Sequence, residues 1–453
     1  MNIDHEYQIR AGAHATLVSI VNVKMKGHED QAETDRSLLE LRELLRTLGI
    51  KAGEEFIQRK TDIDAGTVMG SGKLLEIAES ARAQKSDILV FDFELSAGQA
   101  RNIKEITGLD VMDRVYVILE IFARHARTRE AKLQIEIARL QYLLPRLAGL
   151  WAHFSRQRGG VGVRGGEGEQ QIELDRRIVR SRIETLKDDL EQVAKSREEQ
   201  KKKRKNKAVI AALVGYTNAG KSSLLNRLCR VDVVEENKLF ATLDPTHRTL
   251  NPDTHPPMIL IDTVGFISNL PSTLVEGFKT TFESALEADL LLIVCDISDP
   301  HYKKHLEVTM QILKELGLDQ REYRIIFNKR DKLSSPLMSK IIARAYPGCF
   351  VVSSYDNEDV NMLREHICKT FLDKQALYDL FIPYEQGAAM AKVAKNTNVE
   401  KAHNHERGIF YRIRIPAFIF DELGLFPYVL MPDDPKMQEW KSVLEGTATK
   451  VDG

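Results

Sequence analysis

Residues 215–222 read Gly-Tyr-Thr-Asn-Ala-Gly-Lys-Ser, which is the GxxxxGKS pattern of a phosphate-binding loop. An apolar run at 208–214 precedes the loop and the start of an amphipathic helix at 223–228 follows it, as such a loop requires. Backbone N–H groups and the positive end of the helix dipole can then bind phosphate. We expect Lys221 to reach the β- and γ-phosphates and the Ser222 hydroxyl to ligate Mg²⁺. The alternative is a glycine-rich turn without a ligand.

A second buried strand, 258–261, leads into Asp262-Thr263-Val264-Gly265, the DxxG pattern. Asp262 is expected to hold Mg²⁺ through water, and the Gly265 N–H to bind the γ-phosphate. Phe266 follows, where many switch GTPases carry a glutamine that orients the attacking water. A phenyl ring cannot do this, so we expect slow hydrolysis until a partner or an ion supplies the missing group.

The segment between these motifs contains Phe-Ala-Thr-Leu-Asp-Pro-Thr at 240–246, a polar, proline-containing stretch suited to a mobile loop. Thr242 is the best candidate for the threonine that completes the Mg²⁺ shell in the GTP state. Thr246 and Thr249 are nearby competitors.

Two later segments predict selectivity for guanine. Residues 328–331 read Asn-Lys-Arg-Asp, and Asp331 can accept two hydrogen bonds from guanine that adenine cannot donate. Asn328 and Lys329 would support the loop and cover the base. The tripeptide Ser353-Ser354-Tyr355 ends a predicted strand, Cys349–Val352, where a backbone N–H commonly meets the guanine oxygen.

Together these motifs predict a GTP-hydrolysing site. The predicted catalytic residues are Lys221, Thr242 and Gly265, and the predicted Mg²⁺ ligands are Ser222, Thr242 and, through water, Asp262. The predicted nucleotide-binding residues are Gly215, Tyr216, Thr217, Asn218, Ala219, Gly220, Lys221, Ser222, Ser223, Phe240, Ala241, Thr242, Leu243, Asp244, Asp262, Thr263, Val264, Gly265, Asn328, Lys329, Arg330, Asp331, Ser353, Ser354 and Tyr355. Asn218 could also help hold K⁺ beside the β–γ bridge, or it could only satisfy backbone groups of the loop.

Composition sets the frame for this site. A chain of 453 residues is long enough for about three domains. Its net charge of −1 points to no partner, and its cysteines (Cys229, Cys295, Cys349, Cys368) lie in apolar patterns typical of reduced core residues. No signal-like segment stands at the amino terminus and the longest apolar runs are strand-sized, so we expect a cytoplasmic protein without a membrane anchor, monomeric when free.

The elements around the site predict a multidomain α/β protein. Residues 1–125 alternate strand-like and helix-like segments, which predicts an N-terminal parallel α/β domain. In it, Met69–Lys73 resembles a phosphate loop, but its glycine spacing is wrong and Leu74 stands where Ser or Thr is needed. The P-loop GTPase domain spans 208–373. Strands at 380–383 and 410–416 around a helix at 388–395 predict a small α+β C-terminal domain over 374–453.

Residues 126–207 predict an antiparallel helical hairpin. Leucine, isoleucine and valine recur at steps of three and four from Leu133 to Trp151 and from Ile172 to Val193, which indicates two heptad helices. The segment between them, 156–169, is too glycine-rich to be helical. Residues 124–207 carry 22 Lys and Arg against 12 Asp and Glu, a net charge of +10. We expect RNA contacts from Arg156, Arg158 and Arg164; a solvated face or a plain linker is the alternative.

This combination resembles the HflX family of ribosome-binding GTPases. The resemblance covers about residues 15–430 and rests on the hairpin tip Gly-Gly-Val-Gly-Val-Arg-Gly, on Phe-Ala-Thr-Leu-Asp-Pro-Thr and on the phosphate loop. It implies GTP-dependent binding to the large ribosomal subunit and its rRNA, stimulation of hydrolysis there, and splitting or rescue of stalled ribosomes. It also implies that the amino-terminal domain and the tip, 159–168, approach the peptidyl transferase centre, and it places the switch threonine at Thr242.

The sequence departs from the family pattern at three places. Gly165-Gly166-Glu167-Gly168 stands where Gly-Pro-Gly-Glu is usual, Ser223 replaces a common threonine, and Arg330 lies inside the base motif. The first departure could alter how rigidly the tip engages RNA. An alternative function is a GTP-switched RNA-binding factor for ribosome assembly or remodelling, with ATP-dependent unwinding by the N-terminal domain, although that domain carries no recognisable ATP motif.

Overall fold

We describe a computed structural model of the protein over residues 12–25, 27–147, 165–204, 208–230, 246–251, 254–267 and 288–445. Between 165 and 204, side chains are described for residues 173–196. Over these residues the chain forms a parallel α/β unit, a helical hairpin, a central α/β unit and a small α+β unit. The predicted multidomain α/β class is confirmed.

The amino-terminal unit is a parallel sheet with helices between its strands. Its strands are β1 (His14–Val21), β2 (Lys51–Arg59), β3 (Ile88–Phe91) and β4 (Asp110–Asp113), in the order β2-β1-β3-β4. Its helices are α1 (Gln31–Thr47), α2 (Ser71–Ala83), α3 (Ala97–Thr107) and α4 (Arg114–His125). The central strands β1 and β3 are almost wholly buried, as expected for parallel strands covered on both faces; β3 is entirely apolar, whereas β1 includes the buried Thr16 and Ser19.

The glycine-rich segment at 69–73 of this unit begins an ordinary helix. Gly70 is the N-cap of α2, and the Lys73 ammonium pairs with Glu76 one turn further along the same helix.

The hairpin consists of α5 (Arg129–Leu143), which continues into a 3₁₀ turn (Leu144–Arg146), and α6 (Gly165–Arg204). The heptad positions form one buried seam between them, made of Leu133, Ile137, Leu147, Val179, Ile183 and Leu186. On its solvent side, Arg182 of α6 donates to Glu136 of α5 at 2.9 Å. Trp151, the last predicted seam residue of the first helix, lies outside the described residues.

The prediction that 156–169 is entirely non-helical was wrong at its carboxyl end, because the backbone of α6 begins at Gly165. Glycine costs little in a first turn, where the N–H groups have no intrahelical acceptor anyway.

The central unit is a six-stranded sheet in the order β10-β9-β8-β5-β7-β6, parallel except that β6 runs antiparallel to β7. Its strands are β5 (Val209–Gly215), β6 (Thr246–Asn251), β7 (Met258–Asp262), β8 (Leu290–Asp296), β9 (Tyr323–Asn328) and β10 (Phe350–Val351). Its helices are α7 (Lys221–Leu228), α8 (Tyr302–Glu315), α9 (Pro336–Ala345) and α10 (Asn357–Leu372), with a 3₁₀ turn at Arg330–Lys332. The carboxyl ends of β5, β7, β9 and β10 therefore meet at one edge, which is where parallel α/β sheets bind ligands.

One continuous hydrophobic cluster joins the amino-terminal and central units. It contains Leu41 of α1 and Tyr116 of α4 together with Tyr216 after β5 and Ile293 of β8, all of them buried. At its margin, Lys304 of α8 approaches Glu33 of α1 at 3.6 Å. The two units therefore share a core.

The carboxyl-terminal unit is an antiparallel sheet in the order β11-β13-β12. Its elements are β11 (Ala376–Pro383), α11 (Gly387–Asn396), β12 (Asn398–His405), β13 (Gly408–Ile415), α12 (Ala417–Leu423), a 3₁₀ turn (Phe426–Tyr428) and α13 (Pro435–Leu444). Strand β12 escaped the sequence analysis because it is a largely exposed edge strand without apolar alternation. Trp440 of α13 is buried and donates to Asp379 at 2.7 Å, which fixes this helix to the sheet.

The four cysteines are free thiols, as expected. Cys295 is buried, and burial raises its pKa to about 12, whereas the other three are only half-buried. Within the described ranges, no helix is both long and apolar enough to cross a membrane.

Candidate nucleotide-binding site

The phosphate-loop residues connect β5 to α7 at the ligand-binding edge of the central sheet. Gly220 is the N-cap of α7 with φ +90°, and a Cβ there would lie 2.2 Å from Nδ2 of Asn328. Only glycine fits a left-handed position so close to a neighbouring side chain. The loop therefore packs directly against the first residue of the predicted base motif.

Lys221 is the first residue of α7 and is 7% exposed. Its ammonium donates to the carbonyl oxygens of Gly215 at 3.1 Å and Tyr216 at 2.8 Å. Burial lowers the pKa of Lys221 to about 8, against the opposing attraction of Asp262. A buried ammonium with a lowered pKa is stabilised strongly by an anion beside it, which is the property required of a phosphate-binding lysine.

Ser222 and Asp262 lie opposite each other, the hydroxyl donating to the carboxylate at 2.7 Å. Asp262 is 1% exposed at the end of β7. A hydroxyl and a carboxylate are the hard oxygen donors that Mg²⁺ prefers, and Mg²⁺ usually keeps several waters beside one or two protein ligands. This pair therefore fits the Mg²⁺ ion implied by the sequence.

The DxxG segment is hydrogen-bonded to the phosphate loop. The Thr217 N–H donates to the Phe266 carbonyl at 2.7 Å, and the Phe266 N–H donates to the Gly215 carbonyl at 3.0 Å. A Cβ on Gly265 would lie 2.8 Å from Cα of Thr217 and 3.0 Å from the side-chain nitrogen Nζ of Lys221. A displacement of Gly265 by a ligand would consequently be transmitted to the loop. The intervening Thr263 and Val264 are buried, and Thr263 donates to the Leu213 carbonyl at 2.7 Å.

Asn328 and Lys329 connect the base motif to the phosphate loop. Asn328 donates to the Ala219 carbonyl at 3.1 Å and accepts from the Ser354 N–H at the same distance. The Lys329 ammonium donates to the Asn218 carbonyl at 2.7 Å and pairs with Asp296 at 2.6 Å. The backbone of Asn218 is left-handed, with φ +58°. Its side chain is exposed and makes no hydrogen bond to the described part of the chain.

An open pocket of about 520 Å³ lies beside Asp331. Its lining is Arg330, Asp331, Ser353, Tyr355, Asp356 and Asn357. The Ser353 hydroxyl donates to Asp331 at 2.6 Å, which turns the carboxylate toward the strand end, and Tyr355 is 62% exposed. The pocket can thus present a carboxylate and a ring to a planar base.

Arg330, the residue that departs from the family pattern, is held by acidic neighbours. Its guanidinium lies 2.9 Å from both Asp356 and Asp359. It therefore borders the pocket without pairing with Asp331. Asp356 and Asn357 were missed as lining residues: Asp356 caps α10, and a capping residue gives no sequence indication that it also faces a ligand pocket.

Several predicted site residues lie outside the described residues: Phe240, Ala241, Thr242, Leu243, Asp244, Arg156, Arg158 and Arg164. The competitors of Thr242 are in β6, where Thr246 is paired with Asp262 and Thr249 with Ile259. Of the remaining predicted residues, Tyr216, Thr217, Ala219, Ser353 and Ser354 are buried around the loop and Ser223 is half-buried in α7. Glu40 of α1 was missed altogether, although it accepts a hydrogen bond from the Tyr216 hydroxyl.

Comparison with known proteins agrees with this geometry. Residues 35–123 match a family model described as GTP-binding GTPase N-terminal, residues 125–204 one described as GTP-binding GTPase Middle Region, and residues 210–329 one described as 50S ribosome-binding GTPase. GTPase HflX of Alkalihalophilus pseudofirmus is 38% identical over 387 residues, covering 84% of this chain and 89% of that protein. GTPase HflX of Escherichia coli is 35% identical over 410 residues, covering 90% and 94%. A GTP-binding protein from Sulfolobus solfataricus, solved in complex with GDP, is 24% identical, covers 78% of this chain and 98% of that chain, and superposes with a TM-score of 0.41.

Proposed function

Because the chain belongs to the HflX family of GTPases and hydrolyses GTP, we propose that it binds the large ribosomal subunit in its GTP state and splits or rescues stalled ribosomes. The proposal is carried by one feature, the presence in a single chain of a guanine-nucleotide site and a helical hairpin within residues 124–207, whose net charge is +10. The site supplies a switch, and the hairpin supplies salt-dependent contacts to the phosphate backbone of RNA. The family model matched over 210–329, described as a 50S ribosome-binding GTPase, supports the choice of subunit.

In this proposal each motif has a separate task at the site. The Lys221 ammonium turns from its two carbonyl acceptors to the β- and γ-phosphates, and Asp331 accepts from the guanine base. Ser222 and, through water, Asp262 would hold Mg²⁺ together with Thr242, and the bound ion would neutralise phosphate charge. The Gly265 N–H bonds the γ-phosphate, so loss of that phosphate releases the DxxG segment.

Hydrolysis by the free protein is proposed to be slow. Phe266 is 2% exposed, so the side chain at this position packs in the core and cannot orient water. In this proposal the group that orients the attacking water is supplied when the ribosome is bound, and such groups accelerate GTP hydrolysis by orders of magnitude.

K⁺ is a candidate for part of this missing charge. The side chain of Asn218 is exposed, and in this proposal its amide helps to hold a monovalent cation at the β–γ bridge. We expect KCl to accelerate GTP turnover more than NaCl, and Asn218→Ala to remove the difference while GDP affinity persists. Equal turnover of the parent protein in both salts would refute the K⁺ site and leave Asn218 as a loop residue.

Co-sedimentation with separated ribosomal subunits tests the main proposal. The protein should pellet with large subunits in a non-hydrolysable GTP analogue and remain in the supernatant with GDP, and small subunits should retain little in either case. GTP turnover measured with and without large subunits completes the test. Binding that does not depend on the nucleotide, or unstimulated turnover, would contradict it.

A further inference from the structure

The second residue of the phosphate loop contacts the amino-terminal unit. The Tyr216 hydroxyl donates to Glu40 of α1, 176 residues earlier in the chain. The ring of Tyr216 stacks on His305 of α8, with centroids 4.0 Å apart and planes 10° apart. Tyr216 is 7% exposed, so its position is set by these two neighbours rather than by solvent.

The backbone of Tyr216 connects this contact to the catalytic side of the loop. Its carbonyl accepts from the Lys221 ammonium at 2.8 Å, and the next N–H, that of Thr217, donates to Phe266 at 2.7 Å. Lys221 is expected to bind the nucleotide phosphates, and Phe266 follows the γ-phosphate-binding Gly265. A shift of Tyr216 would therefore move one of the two carbonyl acceptors of Lys221, and it would move the DxxG segment at the same time.

Glu40 is itself held by a buried network of charges. Arg114 pairs with Glu40, donates to Asp92 at 2.8 Å and donates to the Ser37 carbonyl at 3.2 Å. Asp92 in turn pairs with His28 at 3.0 Å. Arg114, Asp92 and His28 are at most 2% exposed, and separating such buried partners is costly, so the network offers Tyr216 a rigid acceptor.

We propose that Glu40 is a positioning residue for the phosphate loop, so that the amino-terminal unit sets the nucleotide affinity of the central unit through the Glu40–Tyr216 hydrogen bond. Without the bond the loop samples other conformations, and the affinity falls in proportion to the binding-competent fraction. The inference rests on the nucleotide site proposed above.

A double-mutant cycle in the full-length protein tests this role. Tyr216→Phe removes one oxygen and keeps the stacked ring, and Glu40→Leu removes both oxygens that can accept from Tyr216. We expect each variant to weaken binding of a fluorescent GDP and a fluorescent GTP analogue alike, by about three- to tenfold, as the loss of one hydrogen bond predicts. The double variant should be no weaker than Glu40→Leu alone, because Tyr216→Phe then removes a bond that is already lost.

Two matched controls lie on the same helix, α1. Glu33→Leu breaks the pair with Lys304, which also crosses the unit boundary but does not touch the loop. Glu43→Leu breaks the pair with Arg46 within α1, at 3.2 Å. Neither control should change the nucleotide affinity, whereas thermal unfolding of all variants reports any general loss of stability.

Each outcome decides the question. Unchanged affinity of Tyr216→Phe, even with a lower melting temperature, would show that the bond only docks the two units, and additive losses would show that Tyr216 and Glu40 act separately; either result overturns the proposal. If Glu40→Leu does not fold, Tyr216→Phe decides alone. If the parent protein binds no guanine nucleotide, the proposed site itself has failed, which is a different result.

Discussion

At the scale of single residues, we propose that base selectivity rests on one carboxylate. Asp331 is oriented by the Ser353 hydroxyl at 2.6 Å and borders the open pocket. A base that cannot donate to this carboxylate leaves the acceptor without its hydrogen bonds, and the site therefore binds that base much more weakly. The pocket holds a second carboxylate, Asp356, which is paired with Arg330 and caps α10. The two therefore differ in role although they line the same cavity.

This difference gives a test of guanine recognition. Asp331→Asn should move the preference from GDP toward xanthosine diphosphate (XDP). The amide donates a hydrogen bond where the carboxylate accepted one, and xanthine has a carbonyl oxygen where guanine has an amino group. Asp356→Asn should keep the preference for GDP, since asparagine is an equally good helix cap. Relative affinities for GDP and XDP, measured by competition, check both variants. A guanine-selective Asp331→Asn would mean that the base is recognised elsewhere.

Lys221 predicts a pH dependence of stability in the nucleotide-free protein. Its pKa is about 8 when folded and 10.5 at the ordinary value, so between these pH values the folded state binds fewer protons than the unfolded state. The parent protein therefore gains stability as pH rises through this window, and that gain is at most about 3 kcal/mol. Lys221→Met lacks the gain.

The measurement is the free energy of unfolding in urea at several pH values from 7 to 10.5. The value for Lys221→Met minus that for the parent should fall as the pH rises above 8. Lys195→Met, on the exposed part of α6, should show no such fall. A constant difference for Lys221→Met would mean that the lysine has an ordinary pKa.

At the scale of elements, apolar periodicity predicts the buried strands and helices correctly, but it does not predict an exposed edge strand or the first residue of a helix. The strand before Gly215 and the seam from Leu133 to Leu186 could be predicted because their apolar periodicity is set by burial within a few residues. Strand β12 could not, since an exposed edge strand needs no apolar alternation. The start of α6 at Gly165 was missed because composition outweighed the tolerance of helix first turns for glycine.

The hairpin seam should be needed for hairpin stability and not for nucleotide binding. Leu186→Ala removes a side chain that is 1% exposed between α5 and α6 and should cost about 2–5 kcal/mol. Leu174→Ala, which truncates a side chain 42% exposed on the same helix, should cost about 0.5 kcal/mol or less. Amide hydrogen exchange in α6 and GDP affinity would be compared. An equal effect of the two variants on exchange would argue against a packed hairpin.

At the scale of the whole molecule, the phosphate-loop motif could be predicted from the sequence but its neighbours could not. Eight consecutive residues carry the loop, whereas Glu40 reaches Tyr216 across 176 positions and is one of many glutamates with no local mark. The same holds for the pocket, where Asp356 is read from sequence only as a helix cap. Contacts between units are set by tertiary packing, which a single sequence does not display.

The hairpin tip predicts a separation of ribosome action from nucleotide chemistry. Replacing residues 159–168 with a neutral linker should leave GTP affinity and unstimulated turnover intact and reduce ribosome splitting substantially, with a smaller loss of large-subunit binding. A second variant replaces only residues 159–164 and keeps the backbone of α6 from Gly165 onward, which separates loss of the tip from loss of the first helical turn. Light scattering follows subunit dissociation. Undiminished splitting by both variants would make the segment a connector.

The core shared by the amino-terminal and central units has a consequence for how the chain melts. Since Leu41 and Tyr116 pack in the same cluster as Tyr216 and Ile293, neither unit can unfold without exposing apolar surface of the other. Calorimetry should therefore give a single cooperative transition for these two units, whose midpoint rises with GDP concentration although GDP contacts only one of them. A protease that attacks an opened amino-terminal unit would accordingly be held off by the nucleotide, which links the lifetime of the whole protein in the cell to the supply of guanine nucleotides.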